Sequence, residues 1–201
     1  MAFPDTQLGR ILGHPVLSVF VRAVLEDDLE AVRATVRRHL VLDRRLRTLE
    51  LGCGPGILAD LFESQDYVGV DPNRRHVEHA RRRRPGFFIV ADPRQLDLPN
   101  GRFDQVLISG MFHRLPDAGV RAVLGESLRV LGTPGRAVSI QRIRTLSRFN
   151  LAGRLLQRPA GGRHVRTADA LRALYLERAH ILEEQVLRSG IWDCHVASLR
   201  S

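Results

Sequence analysis

Short apolar runs alternate with amphipathic stretches through the middle of the chain, and this alternation predicts the secondary structure. Residues 44–140 contain five strand candidates, at 48–51, 67–70, 87–90, 106–109 and 137–140. Strands that alternate with helices along a chain form a parallel sheet. We therefore predict an α/β fold whose central sheet carries helices on both faces.

The pattern differs on either side of this region. Apolar residues at steps of three and four over 25–40 predict an N-terminal helix with one face against the core. Thr167 is a good N-cap for a later helix, and two more strand candidates follow around 181–187 and 192–199. The length of 201 residues fits one domain. We divide it into an N-terminal arm and helix (1–43), a core (44–140), a basic segment (141–166) and a C-terminal helix with two strands (167–201).

The first predicted strand of the core ends in three glycines at alternate positions, within Thr48-Leu49-Glu50-Leu51-Gly52-Cys53-Gly54-Pro55-Gly56. Glycine tolerates positive φ and has no Cβ, so a ligand can lie directly against the backbone amides of such a loop. The spacing of Ile57, Leu58, Leu61 and Phe62 predicts a helix directly after it. The simpler alternative is a tight connector that binds nothing.

Glu50, just before the first glycine, bears on which ligand the loop would hold. A dinucleotide site usually has the pattern G-x-G-x-x-G and receives a pyrophosphate. Here the acid would repel a phosphate and attract a cation. We therefore expect a cationic ligand.

This spelling resembles motif I of the class I S-adenosylmethionine-dependent methyltransferases, in particular the small-molecule, type 11-like group, and further matches follow in the family's order over residues 47–140. The resemblance implies a Rossmann-like sheet of seven strands, mostly parallel with an antiparallel last strand. It implies S-adenosylmethionine as the cofactor. The cofactor-binding residues that it implies are Glu50, Gly52, Cys53, Gly54, Gly56, Asp71, Asp92 and Ser109.

Three of these residues follow later strands. By the resemblance, Asp71 would bind the ribose hydroxyls, although an Asp-Pro pair is also a common helix N-cap. Asp92 would approach the adenine amino group, but Pro93 lacks the N–H that the family usually offers there. Ser109, with Gly110, should border the methyl group.

Methyl transfer from a sulfonium needs alignment and exclusion of water more than it needs a base. If the acceptor carries a proton of low acidity, His113 is the best-placed general base by sequence; otherwise it is a loop histidine held by backbone hydrogen bonds. We read His76 and His79 as solvated and predict no metal site.

The basic segment holds seven arginines and no acid. Within it, Arg163 and Arg166 are the candidates for binding an anionic acceptor, and a solvated connector is the alternative.

Composition limits the remaining choices. The net charge is +9, yet all 31 basic residues are arginine, a codon bias that weakens the usual inference of polyanion binding. The run 81–84 fits a solvated helix C-terminus. The motifs of amino-group and cytosine base methylation are absent, and without lysine the ribose 2′-O pattern is absent too, so we expect no nucleic-acid substrate.

With two cysteines, no secretory pattern and no apolar run near the roughly 20 residues of a membrane span, we expect a cytoplasmic protein; peripheral membrane contact stays open.

We therefore predict an S-adenosylmethionine-dependent methyltransferase that acts on a small-molecule or lipid-like acceptor. If the arginines of the basic segment bind this acceptor, it is anionic. The alternatives are an RNA or protein methyltransferase and a non-catalytic S-adenosylmethionine-binding protein. The acceptor atom and the oligomeric state stay open.

Overall fold

A computed structural model describes residues 30–42, 46–63, 65–144, 163–190 and 192–200. Four α-helices lie in these ranges: α1 Glu30–His39, α2 Arg74–Arg83, α3 Asp117–Val130 and α4 Ala168–Leu176. Two short 3₁₀ helices span Ala59–Leu61 and Phe112–Arg114. The strands are β1 Thr48–Leu51, β2 Tyr67–Asp71, β3 Phe87–Val90, β4 Phe103–Ser109, β5 Leu131–Arg142, β6 His180–Ser189 and β7 Trp192–Arg200.

All seven strands form one sheet in the order β3-β2-β1-β4-β5-β7-β6. The pairings from β3 through β5 are parallel, whereas β7 runs antiparallel to both β5 and β6. The predicted seven-stranded, mostly parallel sheet with an antiparallel last strand is confirmed. The strand order reverses between β1 and β4, and in open α/β sheets ligands bind in the crevice that such a reversal creates at the carboxyl ends of the strands.

Alternation along the strands divides the core between the two faces of the sheet. Leu49 and Leu51 point to the face covered by α3 and α4, together with Val123, Leu124 and Tyr175. The opposite face packs against α1 and α2; its buried residues include Val36, Tyr67, Val77, Phe88 and Trp192. Helices therefore cover both faces, as the alternating pattern predicted.

The helix predicted directly after the glycine loop is absent from the described residues between Gly56 and β2. The amides of Ala59, Leu61 and Phe62 each bond a carbonyl three residues earlier, so the chain forms turns and a 3₁₀ helix. Only ten residues, 57–66, separate the loop from β2, which is too short for an α-helix and its two connections. The apolar spacing instead reflects burial, since Ile57, Leu58 and Phe62 all belong to the core.

The other helical predictions fare better. Helix α1 confirms the helix predicted for 25–40 over residues 30–39, and Thr167 accepts a hydrogen bond from the Ala170 amide as the N-cap of α4. Arg81, Arg82 and Arg83 are exposed in the last turn of α2, as expected for the run 81–84, whereas Arg84 is half-buried. Residues 1–29 of the N-terminal arm and 145–162 of the basic segment lie outside the described residues. None of the helices in the described part is long and apolar enough to cross a membrane.

Two buried histidines make the stability of the fold depend on pH. Burial lowers the pKa of His39, on α1, and of His195, on β7, below the usual value near 6.5. The unfolded chain therefore binds more protons than the folded chain below about pH 6.5, and the stabilisation is lost as the pH falls from there.

We predict that the free energy of unfolding, measured with urea, falls between pH 7.5 and pH 5.5. His195→Gln should remove part of this dependence. His180→Gln, a change at an exposed position of β6, should keep all of it. Equal stability of the wild-type chain at the two pH values would contradict the prediction.

Candidate cofactor and acceptor site

The glycine loop leaves β1 at the strand reversal and turns back over β2. Gly52, Gly54 and Gly56 all have positive φ, at 79°, 55° and 73°. The amides of Gly52 and Cys53 both donate to the Val70 carbonyl of β2, at 2.8 and 3.1 Å. A Cβ on Gly54 would meet nothing within 4 Å. The bare backbone at Gly54 therefore faces open space, where a ligand can approach it.

Asp71, at the end of β2, is held against this loop. Its Oδ2 accepts a hydrogen bond from the Gly54 amide at 3.0 Å and its Oδ1 accepts one from the Asn73 amide at 2.8 Å. The N-cap of α2 is Asn73, so Asp71 is not the cap that an Asp-Pro pair often provides. A carboxylate has about four lone-pair sites, so two stay available for ribose hydroxyls. The structure brings Asp71 and the glycine loop together, and its contact with ribose stays a prediction.

The side chains of Glu50 and Cys53 lie on the buried side of the loop. Glu50 is 2% exposed and accepts a hydrogen bond from the Tyr67 hydroxyl at 2.5 Å. Burial, and next the charge of Glu50, raises the pKa of that phenol well above its usual value. Burial likewise raises the pKa of the Cys53 thiol, whose sulfur packs against Gly69 of β2. Cys53 can therefore offer a ligand only its backbone, while Glu50 supplies a negative charge behind the loop.

Asp92, two residues after β3, already has a cationic partner. Its carboxylate accepts bonds from Nε of Arg94 at 2.9 and 3.1 Å and from Nη2 at 2.5 Å. The side-chain hydrogen bond with Arg94 lowers the pKa of Asp92. The predicted contact with the adenine amino group would have to share this carboxylate with the guanidinium, and it stays a prediction.

The loop after β4, residues 110–116, is called the β4 loop below. It follows Ser109 and passes beside the carboxyl end of β1. Gly110 has φ of 60° and donates its amide to the Ile140 carbonyl at 2.9 Å. A Cβ on Gly52 would lie 3.2 Å from both Cβ and Sδ of Met111 and 3.4 Å from the Ser109 carbonyl. The structure thus brings Ser109 beside the glycine loop, and Met111 covers it.

Sequence reasoning missed Met111 and Gln141. Gln141 is fully buried near the end of β5; its Oε1 accepts from the amides of Met111 (3.1 Å) and Phe112 (3.0 Å), and its Nε2 donates to the Ile108 carbonyl at 2.7 Å. An amide side chain directly after the strand candidate 137–140 was the available signal. Met111 gave no such signal.

His113 lies in the 3₁₀ helix of the β4 loop and is 7% exposed. Its Nε2 accepts a hydrogen bond from Nε of Arg114 at 3.3 Å, and its carbonyl accepts one from the His164 amide at 3.0 Å. The structure places the residue just after the carboxyl end of β4. Its role as a base stays a prediction.

The two histidines of α2 differ from what their sequence suggested. His76 is 5% exposed, and its Nδ1 lies 3.7 Å from Oδ1 of Asp71, so the prediction that it is solvated is wrong. It shares the buried face of α2 with Val77 and Ala80, which pack on the sheet. His79 is half-buried. No group of three or more metal-ligating side chains occurs within the described ranges.

The two arginines predicted to bind an acceptor are in different environments. Arg163 is exposed. Arg166 donates to Oδ1 of Asp117 from Nε (2.9 Å) and Nη2 (2.6 Å), to the Phe112 and His164 carbonyls from Nη1 (2.9 and 3.0 Å), and to the Leu115 carbonyl from Nη2 (2.7 Å). A guanidinium has five N–H donors, and all five are used here. A contact of Arg166 with an acceptor is therefore not favoured by this geometry.

Comparison with known proteins fits this site. The sequence model of a family described as "Methyltransferase domain" matches residues 48–135, which run from β1 into the start of β5. No curated protein matches the chain by sequence.

Solved structures of methyltransferases share the fold. Magnesium protoporphyrin IX methyltransferase from Synechocystis PCC 6803, with bound SAH, superposes with a TM-score of 0.67 at 16% identity, covering 98% of this chain and 88% of the other. A possible histamine N-methyltransferase from Thermotoga maritima gives 0.68 at 17% identity, covering 94% and 97%. Geranyl diphosphate C-methyltransferase from Streptomyces coelicolor A3(2) gives 0.64 at 13% identity, covering 85% and 77%.

The sheet order, the glycine loop and these matches define a protein with the class I methyltransferase fold. Residues 48–135 carry a methyltransferase domain, and this domain and the fold together indicate S-adenosylmethionine as the cofactor.

We predict that Gly54→Val abolishes S-adenosylmethionine binding while the chain still folds. The new side chain would project into the open space above the loop, and a φ of 55° costs a non-glycine residue about 1–2 kcal/mol. Gly54→Ala adds the same strain with less bulk and should bind more weakly than wild type but measurably. Calorimetry on both variants, with circular dichroism to verify folding, checks this. Normal binding by Gly54→Val would mean that the loop is only a connector.

Proposed function

We propose that this protein transfers a methyl group from S-adenosylmethionine to a small-molecule acceptor that is anionic and, in part, lipid-like. The observation that carries the proposal is a set of exposed arginines at the carboxyl edge of β4 and β5, on the same edge of the sheet as the glycine loop. Arg114, Arg144 and Arg163 are all exposed there.

Backbone hydrogen bonds hold these arginines on one rim. The Arg144 amide donates to the Arg166 carbonyl at 2.7 Å, and the His164 amide donates to the His113 carbonyl at 3.0 Å. The start and the end of the basic segment therefore meet each other and the β4 loop. The nearby carboxylate of Asp117 is already paired with Arg166. The rim keeps a positive charge, and the planar fork of arginine suits phosphate and carboxylate groups.

Two of the similar enzymes illustrate acceptors of this kind. The Streptomyces enzyme is named for geranyl diphosphate, which joins an apolar chain to a diphosphate. The Synechocystis enzyme is named for a magnesium porphyrin. Both acceptors are small molecules with a large apolar part, which supports the same class of acceptor for this chain.

The reaction would be an in-line displacement at the sulfonium methyl, accelerated by alignment and by exclusion of water. Ser109 and Gly110 would border the methyl group, and His113 would take a proton from an acceptor that carries one. We also propose a cytoplasmic setting, which is consistent with a sequence of 201 residues that has two cysteines.

Two rival functions give different results in one experiment. S-adenosylmethionine with a labelled methyl group is incubated with the protein and a cell extract, which is then separated into RNA, protein and small molecules. We expect label in small molecules that an anion exchanger retains. Label in RNA or protein would favour those substrates instead, and tight cofactor binding without transfer would favour a non-catalytic binding protein.

With the acceptor found in this way, we predict that the double variant Arg144→Gln/Arg163→Gln raises the acceptor KM about tenfold, because each exposed charged contact is worth about 0.7 kcal/mol and two of them make one factor of ten. The affinity for S-adenosylmethionine should not change. The matched control is Arg82→Gln/Arg83→Gln, which removes the same charge at the opposite edge of the sheet. If both double variants raise KM equally, the rim arginines act only through the net charge of the protein and do not bind the acceptor.

A further inference from the structure

The basic segment leaves the core at Gln141 and returns to it at Arg166, and both of these residues contact the same loop. Gln141 accepts hydrogen bonds from the amides of Met111 and Phe112. Arg166 donates to the carbonyls of Phe112 and Leu115. We propose that Gln141 and Arg166 act as a pair of positioning residues that hold the β4 loop against the glycine loop. The inference takes its functional meaning from the proposed methyl transfer.

Gln141 fixes the β4 loop from the sheet side. Besides accepting two loop amides, it donates from Nε2 to the Ile108 carbonyl at 2.7 Å and to Ser139 Oγ at 3.1 Å. The Ser139 hydroxyl lies 3.0 Å from the hydroxyl of Tyr175, a fully buried residue of α4. Because buried polar groups are costly to leave unpaired, this network holds the loop against β5.

Arg166 fixes the same loop from the outer side. Its side chain is only 9% exposed, and its contacts with Phe112, Leu115 and Asp117 span the 3₁₀ helix from its first residue to the start of α3. The hydrogen bond from Arg166 lowers the pKa of the Asp117 carboxyl. His113 lies inside this clamp, so its position depends on the clamp as well.

Met111 transmits the position of the β4 loop to the cofactor site. The Cβ and Sδ of Met111 lie 3.2 Å from where a Cβ on Gly52 would be, so Met111 occupies the space beside Gly52 and the two loops are neighbours. A displacement of the β4 loop would change the surface that the glycine loop offers to S-adenosylmethionine. Arg166 would thus affect the cofactor without touching it.

The test uses the methionine methyl group as a reporter, since the chain has only two methionines, Met1 and Met111. In protein labelled with ¹³C at the methionine methyl, the Met111 resonance is assigned by its loss in Met111→Leu. We expect Arg166→Gln to shift this resonance in the unliganded protein and to weaken the binding of S-adenosylhomocysteine about fivefold, as for one lost hydrogen bond. The affinity is measured by calorimetry and the unfolding midpoint is recorded.

The matched control is Arg47→Gln. Arg47 lies just before β1 and makes a two-bonded ion pair with Asp104 at the start of β4, the opposite end of this strand from the β4 loop. It should leave both the Met111 resonance and the ligand affinity unchanged. If Arg166→Gln lowers only the unfolding midpoint, as any structural ion pair would, the proposal is overturned; a raised acceptor KM with the resonance and affinity unchanged would overturn it too.

Asp117→Asn serves as the second variant if Arg166→Gln does not fold. It keeps an oxygen acceptor but removes the charge that orients the guanidinium, so the Met111 resonance should shift in the same direction by less. No shift in Asp117→Asn would contradict the clamp. The resonance is read without ligand or turnover, so failure of the wild-type chain to bind S-adenosylhomocysteine would count against the proposed function and not against the clamp.

Discussion

The parallel pairing of β1 between β2 and β4 is the constraint on which the rest of the site depends. Leu51 is level with Val70 of β2 and with Ile108 of β4, so the next residue of each strand reaches the same edge. Those residues are Gly52, Asp71 and Ser109, which are 19 to 57 positions apart in the sequence. A register slip of one residue would turn each side chain to the other face of the sheet. The buried apolar residues of both faces therefore secure the geometry of the site.

Charges around this edge are already arranged before any ligand arrives. The Asp71 carboxylate is oriented by two backbone amides, and Glu50 is buried against Tyr67 behind the loop. Their negative charge suits a cofactor with an ammonium and a sulfonium. At the proposed acceptor rim, Arg114, Arg144 and Arg163 are exposed instead. Opposite signs on the two sides would keep the cofactor and an anionic acceptor in their own subsites.

The sequence predicted best what depends on neighbouring residues. Strand and helix periodicity gave the sheet, and the position of Asp71 at the end of its strand was enough to bring it to the glycine loop. Contacts between distant residues were not predictable in this way. Gln141 accepts from the Met111 amide only because β5 packs beside the β4 loop. Arg166 likewise reaches the carbonyls of that loop only because the chain before α4 packs against it. The helix predicted after Gly56 failed for a related reason. The apolar spacing of neighbouring residues favoured a helix, but the connection to β2 was too short to form one.

The claim that Asp71 and the glycine loop form the cofactor site is tested most directly by calorimetric titration of S-adenosylmethionine into the wild-type chain and Asp71→Ala. The account predicts binding of one molecule per wild-type chain. Asp71→Ala should bind more weakly by about 1.5–3 kcal/mol, because charge-assisted hydrogen bonds to the ribose are lost. Equal affinity of the two proteins, or no binding by the wild-type chain, would contradict it.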